Sequence, residues 1–192
     1  VPRITREQFP IPGVMSRLAP FKHELELGLG VLYLKGLPVE RYTKDQASVI
    51  FWGLGMHFGR PWEQNLRGHL LGDVINEGKS LDDPSARGYQ TTASLEMHTD
   101  GADAVGLLCL KKAKSGGLSR IASSVSVYNE LLRRRPDLAP RLFEPFMLDT
   151  RDEAEANGMK VLPVPPCRHA AGALRTFWHA EYFRTSQRHE GV

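Results

Sequence analysis

Residues 98–120 read HTDGADAVGLLCLKKAKSGGLSR, and this stretch decides how the rest of the chain is interpreted. His98 and Asp100 stand two positions apart, and residues i and i+2 of an extended segment point to the same face. An imidazole nitrogen and a carboxylate oxygen could therefore bind one metal ion. They make up two thirds of a 2-His-1-carboxylate triad, which leaves positions open on Fe(II) for oxygen chemistry. The third ligand must come from elsewhere.

The residues after the triplet predict two strands joined by a turn. The apolar run 103–110 is typical of a buried strand, so we expect Cys109 to be a small buried hydrophobe. Lys111 to Gly117 indicates a turn that closes on Gly116-Gly117, and residues 118–123 predict the second strand.

The whole chain shows an α+β pattern. Apolar periodicity predicts a helix over residues 16–27 and another over 44–58, the latter beginning with a capping box formed by Thr43 and Gln46. A third helix begins at Ser124. Further strands are predicted at residues 31–35, 70–75, 146–150, 161–164 and 174–183, with long loops at 76–87 and 149–159.

Composition is ordinary for one globular domain covering residues 1–192, with 41% hydrophobic and 24% charged residues. No apolar run is long enough to span a bilayer and no secretory signal is present, so we expect a cytoplasmic protein without membrane contact. A formal charge of +3 is too small to indicate nucleic-acid binding. The basic run Arg133–Arg135 is expected to be a solvated helix end before Pro136. The two cysteines do not form a disulfide framework.

Three motifs together resemble a known family: residues 87–91 (RGYQT), residues 98–101 (HTDG) and residues 114–120 (KSGGLSR). They are similar to the central part of the taurine dioxygenase-like, or clavaminate synthase-like, Fe(II)/2-oxoglutarate oxygenases. The similarity extends from about Phe21 to about Arg188. The resemblance implies a double-stranded β-helix, or jelly-roll, core with flanking helices. It also implies that His98 and Asp100 bind Fe(II) and that Ser119 contacts a carboxylate of the cosubstrate 2-oxoglutarate, with O2 as the second cosubstrate.

The chain departs from the family pattern at its ends. In the family a distal His, followed by an Arg that binds 2-oxoglutarate, lies near the end of the core, and this chain stops at Val192 before that segment. It also begins at Val1 without a Met, so we expect N-terminal residues and the C-terminal part with the distal ligands to be absent.

Three later histidines deserve comparison with the distal ligand: His169, His179 and His189. Arg188 follows His179 at a spacing that would suit a carboxylate-binding pair, but the resemblance places residues 174–183 in a strand before the distal ligand. We therefore expect His179 to be a packed strand residue with one satisfied nitrogen, and His169 to lie in a solvated turn.

The sequence predicts an enzyme, an Fe(II)/2-oxoglutarate-dependent dioxygenase that oxidises a small polar, amino-acid-like or natural-product molecule and releases succinate and CO2. Two alternatives stay open: a non-catalytic jelly-roll binding module, and a zinc-type hydrolase that uses His98 and Asp100. The partner is a small-molecule substrate, and a homo-oligomer also stays open. Pocket-lining candidates, each equally consistent with a solvated loop residue, are Asn65, Arg87, Tyr89, Gln90, Thr91 and Glu96. Ser119 is likewise consistent with an ordinary strand hydroxyl.

Overall fold

The computed structural model describes residues 3–65, 68–80, 86, 88–151 and 158–192. Two compact units make up the chain, one from Val1–Gly72 with Ala104–Ser119 and the other from Asp73–Asp103 with Arg120–Val192. His98 and Asp100 thus belong to the second unit, and Ser119 is the last residue of the first.

Two helices form the framework of the first unit, α1 at Pro12–Leu27 and α2 at Lys44–Gly55. Helix α1 begins earlier than predicted because Pro12 occupies its first turn, where a missing N–H costs nothing. The predicted capping box of α2 is confirmed, since the Thr43 hydroxyl accepts from Gln46 N and the Gln46 side chain accepts from Thr43 N.

The first unit is held together around α2. Leu18, Ala47 and Trp52 are buried there. The indole N–H of Trp52 donates to the Ile4 carbonyl at 2.7 Å, which ties the N-terminal segment to the helix. Gly53 allows the ring of Phe9 to lie directly on the α2 backbone, because a Cβ at this position would collide with that ring.

The second unit contains helix α3 at Ser124–Arg134, as predicted, with Ser123 as its N-cap. Arg133 and Arg134 both bind the carboxylate of Glu130, and all three side chains are exposed. The basic run is therefore the end of a solvated helix, in agreement with the prediction.

Four short strands follow in two antiparallel pairs. The strands β1 (Phe146–Asp149) and β2 (Val161–Val164) form one pair, and β3 (Cys167–Ala170) and β4 (Ala173–Thr176) form the other. Phe146 lies opposite Val164 and Cys167 lies opposite Thr176. Ala171 and Gly172, which join β3 to β4, have φ values of 50° and 74°, as a two-residue type I′ turn requires. The strands predicted at 146–150 and 161–164 are confirmed.

The strand predicted at 174–183 is correct only in its first three residues. Strand β4 ends at Thr176, and Ala180–Thr185 form the short helix α4. Ala, Glu and Arg in this segment favour a helix, while the aromatic residues favoured a strand. Phe183 of α4 lies edge-on to Phe146 of β1, with ring centroids 5.6 Å apart, and this contact holds the helix on the first strand pair.

Four other predicted strands, at residues 31–35, 70–75, 104–110 and 118–123, are not formed. Each is apolar enough for a strand, but a strand requires a neighbour for its backbone N–H and C=O groups, and the described residues provide none. Cys109 is consequently exposed, contrary to the prediction. No closed sheet is present in the described part of the chain, so the jelly roll is not confirmed by these elements.

The structure also tests the prediction made for His169. His169 is exposed, as predicted, but the prediction of a turn was wrong, because this residue lies in β3 and its ring stacks on Phe143 with centroids 5.3 Å apart. Across the residues that the structure covers, no helix combines the length and apolarity needed to cross a membrane.

Candidate metal centre

The predicted metal-binding triplet, residues 98–100, is paired with a distant segment of the second unit. His98 forms an isolated antiparallel bridge with His179, and Thr99 N donates to the Trp178 carbonyl at 2.8 Å. In return, Trp178 N donates to Thr99 Oγ1 at 2.7 Å. The triplet therefore lies directly beside the first turn of α4.

One hydrogen bond determines which nitrogen His98 can offer to a metal. Its Nδ1 lies 2.8 Å from the carbonyl oxygen of Glu96. A carbonyl oxygen only accepts, so Nδ1 must carry the proton. The neutral ring then has its lone pair on Nε2, and such a bond to a carbonyl is typical of metal-binding histidines.

The position of Glu96 is itself stabilised by α4. Its carboxylate faces the guanidinium of Arg184, with Nη2–Oε2 and Nη1–Oε1 distances of 3.0 and 3.3 Å. Both side chains are largely exposed, so the ion pair adds little to stability and mainly limits where residue 96 can lie.

His179 lies beside both predicted metal ligands. Its ring centroid is 5.0 Å from that of His98. Burial is the largest cause that lowers the pKa of His179, and the His98 imidazole lowers it further, while the carboxylates of Glu181 and Asp100 act in the opposite direction. Burial thus favours the neutral form of the His179 imidazole.

The sequence expectation for His179 was wrong in its details. The residue is not within a strand but is the N-cap of α4. Its Nδ1 is buried and has no hydrogen-bond partner among the described residues. The ring of His179 stacks on that of Tyr182, with centroids 3.8 Å apart. The guanidinium carbon of Arg151 lies 4.7 Å from the centroid of the Tyr182 ring.

The donor set fits a metal site in part. His98 offers Nε2 and Asp100, which is exposed, offers a carboxylate, and this N,O combination suits Fe(II). Over the residues described, no group of three or more His, Cys, Asp or Glu side chains is arranged to hold a metal ion. The described residues thus contain the two predicted ligands, His98 and Asp100, and leave the third unassigned.

Arg188, whose spacing after His179 would suit a carboxylate clamp, binds a carboxylate of the chain itself. Its guanidinium binds the buried carboxylate of Asp149, with Nε–Oδ2 and Nη2–Oδ1 distances of 2.9 and 3.2 Å. His189 Nε2 and the backbone N–H of Arg151 also contact that carboxylate. Desolvation alone would raise the pKa of Asp149, but the hydrogen bonds from the Arg151 backbone, Arg188 and His189 outweigh it and hold the pKa below its usual range.

The other candidates from the sequence have no contact with His98, Asp100 or His179 among those described, and several make local hydrogen bonds. Ser119 is exposed in the first unit, after two glycines that both have positive φ. Gln90 donates to the Glu77 carboxylate, and Thr91 donates to the Gly88 carbonyl. Arg87 lies outside the described residues. Two other predicted pocket residues are placed without a role in the cluster: Asn65, which contacts His69 in the first unit, and Tyr89, which lies in a 3-10 turn.

Sequence reasoning missed Arg151. Its side chain is 5% exposed, its backbone has a φ of 50°, and it binds Glu181 at 2.5 Å beside the stack of Tyr182 on His179. No sequence pattern marks an arginine as buried, since the residue type is mostly exposed.

The sequence of this chain matches that of a known protein family. The sequence model described as "Taurine catabolism dioxygenase TauD, TfdA family" matches residues 1–189. The chain belongs to the TauD/TfdA dioxygenase family. This match confirms the resemblance that the HTDG and GGLSR motifs indicated.

Two curated relatives show how much of a TauD/TfdA protein is present. FR-33289 synthase of Streptomyces rubellomurinus (strain ATCC 31215) is 34% identical over 151 residues, which cover 78% of this chain and 44% of that protein. The taurine hydroxylase-like protein SAT17 of Stachybotrys chartarum (strain CBS 109288 / IBT 7711) is 28% identical over 154 residues, or 77% of this chain and 40% of that protein. The chain thus spans less than half the length of these relatives.

Proposed function

We propose that this chain is part of an Fe(II)/2-oxoglutarate-dependent oxygenase in which His98 and Asp100 bind the metal. The main support is the hydrogen bond from His98 Nδ1 to the Glu96 carbonyl, which leaves Nε2 as the metal-binding nitrogen beside an exposed carboxylate. Family membership supports the oxygenase over a non-catalytic binding module or a zinc hydrolase.

Bound Fe(II) would supply O2 activation coupled to oxidative decarboxylation of 2-oxoglutarate, so that one oxygen atom enters succinate and the other enters the substrate. The residues of this chain would hold and orient the reactants. Asp100 would contribute a negative charge to the metal, and Ser119 would donate a hydrogen bond to a 2-oxoglutarate carboxylate. We further propose the jelly-roll scaffold of the family for the complete protein.

The proposed substrate is a small polar molecule, amino-acid-like or a natural product. The names of the two relatives, one a synthase and one a taurine hydroxylase-like protein, agree with small polar substrates. Hydroxylation at one C–H bond with release of succinate and CO2 is the proposed reaction.

The test uses the whole protein to which this chain belongs. His98→Ala and Asp100→Ala should each abolish succinate formation from 2-oxoglutarate. They should also remove the weak visible charge-transfer band that forms when Fe(II) and 2-oxoglutarate are added anaerobically. Asp103→Ala, which removes an exposed carboxylate three positions further along, is the matched control and should keep both signals.

Two outcomes would contradict the proposal. Retained turnover in the His98 or Asp100 variant would remove the metal assignment. Tightly bound zinc, with no response to 2-oxoglutarate, would favour the hydrolase.

A further inference from the structure

We infer that Thr99, the middle residue of the metal-binding triplet, is a positioning residue that fixes His98 and Asp100 against the segment before α4. The inference depends on the proposed metal role of that pair. It assigns a task to a residue to which the proposed function gives none.

Both backbone groups of Trp178 are bound by Thr99. Thr99 N donates to the Trp178 carbonyl at 2.8 Å, and Trp178 N donates to Thr99 Oγ1 at 2.7 Å. In a regular antiparallel pair the second bond would run to the backbone carbonyl of residue 99. Here the hydroxyl takes that place, so the pairing depends on the side chain.

The other connections of the triplet are local or weak. The hydrogen bond of His98 goes to Glu96, only two residues away. Among the described residues, every hydrogen bond that joins residues 98–100 to a distant part of the chain involves Thr99, as donor or as acceptor. The neighbouring Glu96–Arg184 pair is exposed and stabilises only weakly.

The location of this pairing explains why it would affect the metal site. Thr99 lies between the two proposed ligands, so a shift of its backbone would move both donor groups. Partners beyond the ligands themselves orient metal-binding side chains, and their loss typically weakens metal affinity by about 10- to 100-fold. Valine has the shape of threonine without the acceptor, so Thr99→Val would leave the N–H of Trp178 without this partner.

The experiment compares variants of the full chain under anaerobic conditions, with Co(II) as a coloured substitute for Fe(II). Thr99→Val should weaken Co(II) binding by about 10- to 100-fold and should speed hydrogen exchange at the Trp178 amide. Thr99→Ser keeps the hydroxyl and should restore both properties. Thr176→Val is the matched control, because it removes a 2.7 Å side-chain hydrogen bond to Ser124 in the same unit.

The His98→Ala variant distinguishes an error in the proposed metal site from an error in the proposed role of Thr99. If this variant binds Co(II) as tightly as the unmodified chain, the proposed metal site itself is wrong. If it loses binding while Thr99→Val retains native affinity, the metal site stands and the positioning role is overturned.

A folding defect in Thr99→Val, detected by circular dichroism, does not end the test. Thr99→Ala would then be compared with Thr99→Ser, since only the serine variant retains an acceptor. Loss of Co(II) affinity in the alanine variant alone supports the inference, and equal affinity in both variants overturns it.

Discussion

At the scale of single residues, His98 shows how a backbone carbonyl determines side-chain chemistry. The imidazole could carry its proton on either nitrogen, and the contact with the Glu96 carbonyl selects Nδ1. The same type of residue behaves differently at His169, where the ring stacks on Phe143. Residue type alone does not distinguish these two roles.

Ser119 tests the cosubstrate half of the proposal. Ser119→Ala removes the hydroxyl that would bind a 2-oxoglutarate carboxylate, so the apparent KM for 2-oxoglutarate should rise by roughly 5- to 10-fold, as expected for loss of a charge-assisted hydrogen bond. Succinate production measured against 2-oxoglutarate concentration checks this. Ser115→Ala, in the same exposed segment, is the control, and an unchanged KM in the Ser119 variant would count against the contact.

Asp149 should make a large contribution to stability. Its carboxylate is 1% exposed, and Asp149→Asn would remove the negative charge that Arg188 and His189 face. Because loss of one partner of a buried ion pair is strongly destabilising, we expect the free energy of unfolding to fall by about 3 kcal/mol at pH 7. Urea denaturation measures the change. Asp137→Asn, which affects an exposed pair with Arg135, should have a much smaller effect.

The pH dependence follows from the direction of the Asp149 shift. The pKa in the folded protein lies below that of the unfolded chain, so the stabilisation is fully present above the unfolded value of about 4 and is lost as the pH falls further. The difference between the unmodified chain and Asp149→Asn should therefore shrink progressively below about pH 4. A difference that stays constant down to pH 2 would exclude the carboxylate as its source.

At the scale of elements, local sequence patterns predicted the helices correctly, because a helix forms its backbone hydrogen bonds within its own segment. Helix α2 satisfies its backbone internally and begins at a capping box, and α3 begins at a Ser N-cap, so both were predictable. Segments 104–110 and 118–123 have the composition of strands but depend on neighbours that the described residues do not supply. Composition therefore predicted strands in these segments, but a strand forms only where its backbone pairs with a neighbouring segment.

The capping box gives a prediction at this scale. Thr43→Ala should lower the free energy of unfolding by about 1 kcal/mol, because the N–H of Gln46 loses its acceptor at the start of α2. Thermal or urea denaturation measures the loss. Ser48→Ala, which removes only a hydroxyl that donates to the Lys44 carbonyl within the same helix, should change stability by less than about 0.5 kcal/mol. Equal losses in both variants would argue against a special role for the cap.

At the scale of the whole molecule, the chain leaves unusually many large apolar side chains exposed. Leu118 is 93% exposed and Leu107 is 76% exposed, whereas Leu18 of α1 is 7% exposed. Both exposed leucines belong to segments predicted as strands, and the segment of Leu107 was predicted to be buried. Their exposure shows that burial follows the packing of the molecule and not the residue type alone.

Leucine substitutions test this distribution. Leu118→Ser and Leu107→Ser should each change the free energy of unfolding by less than about 0.5 kcal/mol. Leu18→Ser should cost about 3 kcal/mol, because it buries a hydroxyl and leaves a cavity. Urea denaturation of the three variants provides the comparison. A loss at Leu118 as large as that at Leu18 would mean that the predicted strand is packed after all.

The sequence by itself determined the family and the helices with local caps, and it predicted two metal ligands in the HTD triplet, because these depend on residue type and short spacing. Tertiary structure decided how the ligands are held. The tautomer of His98, the pairing of Thr99 with Trp178, and the stacking of His179 on Tyr182 all depend on where backbone groups lie in space. Residues 98–100 and 178–182 are separated by nearly eighty positions, and no local pattern records that they meet. Physical contact, and not spacing along the chain, determines which groups can share a metal.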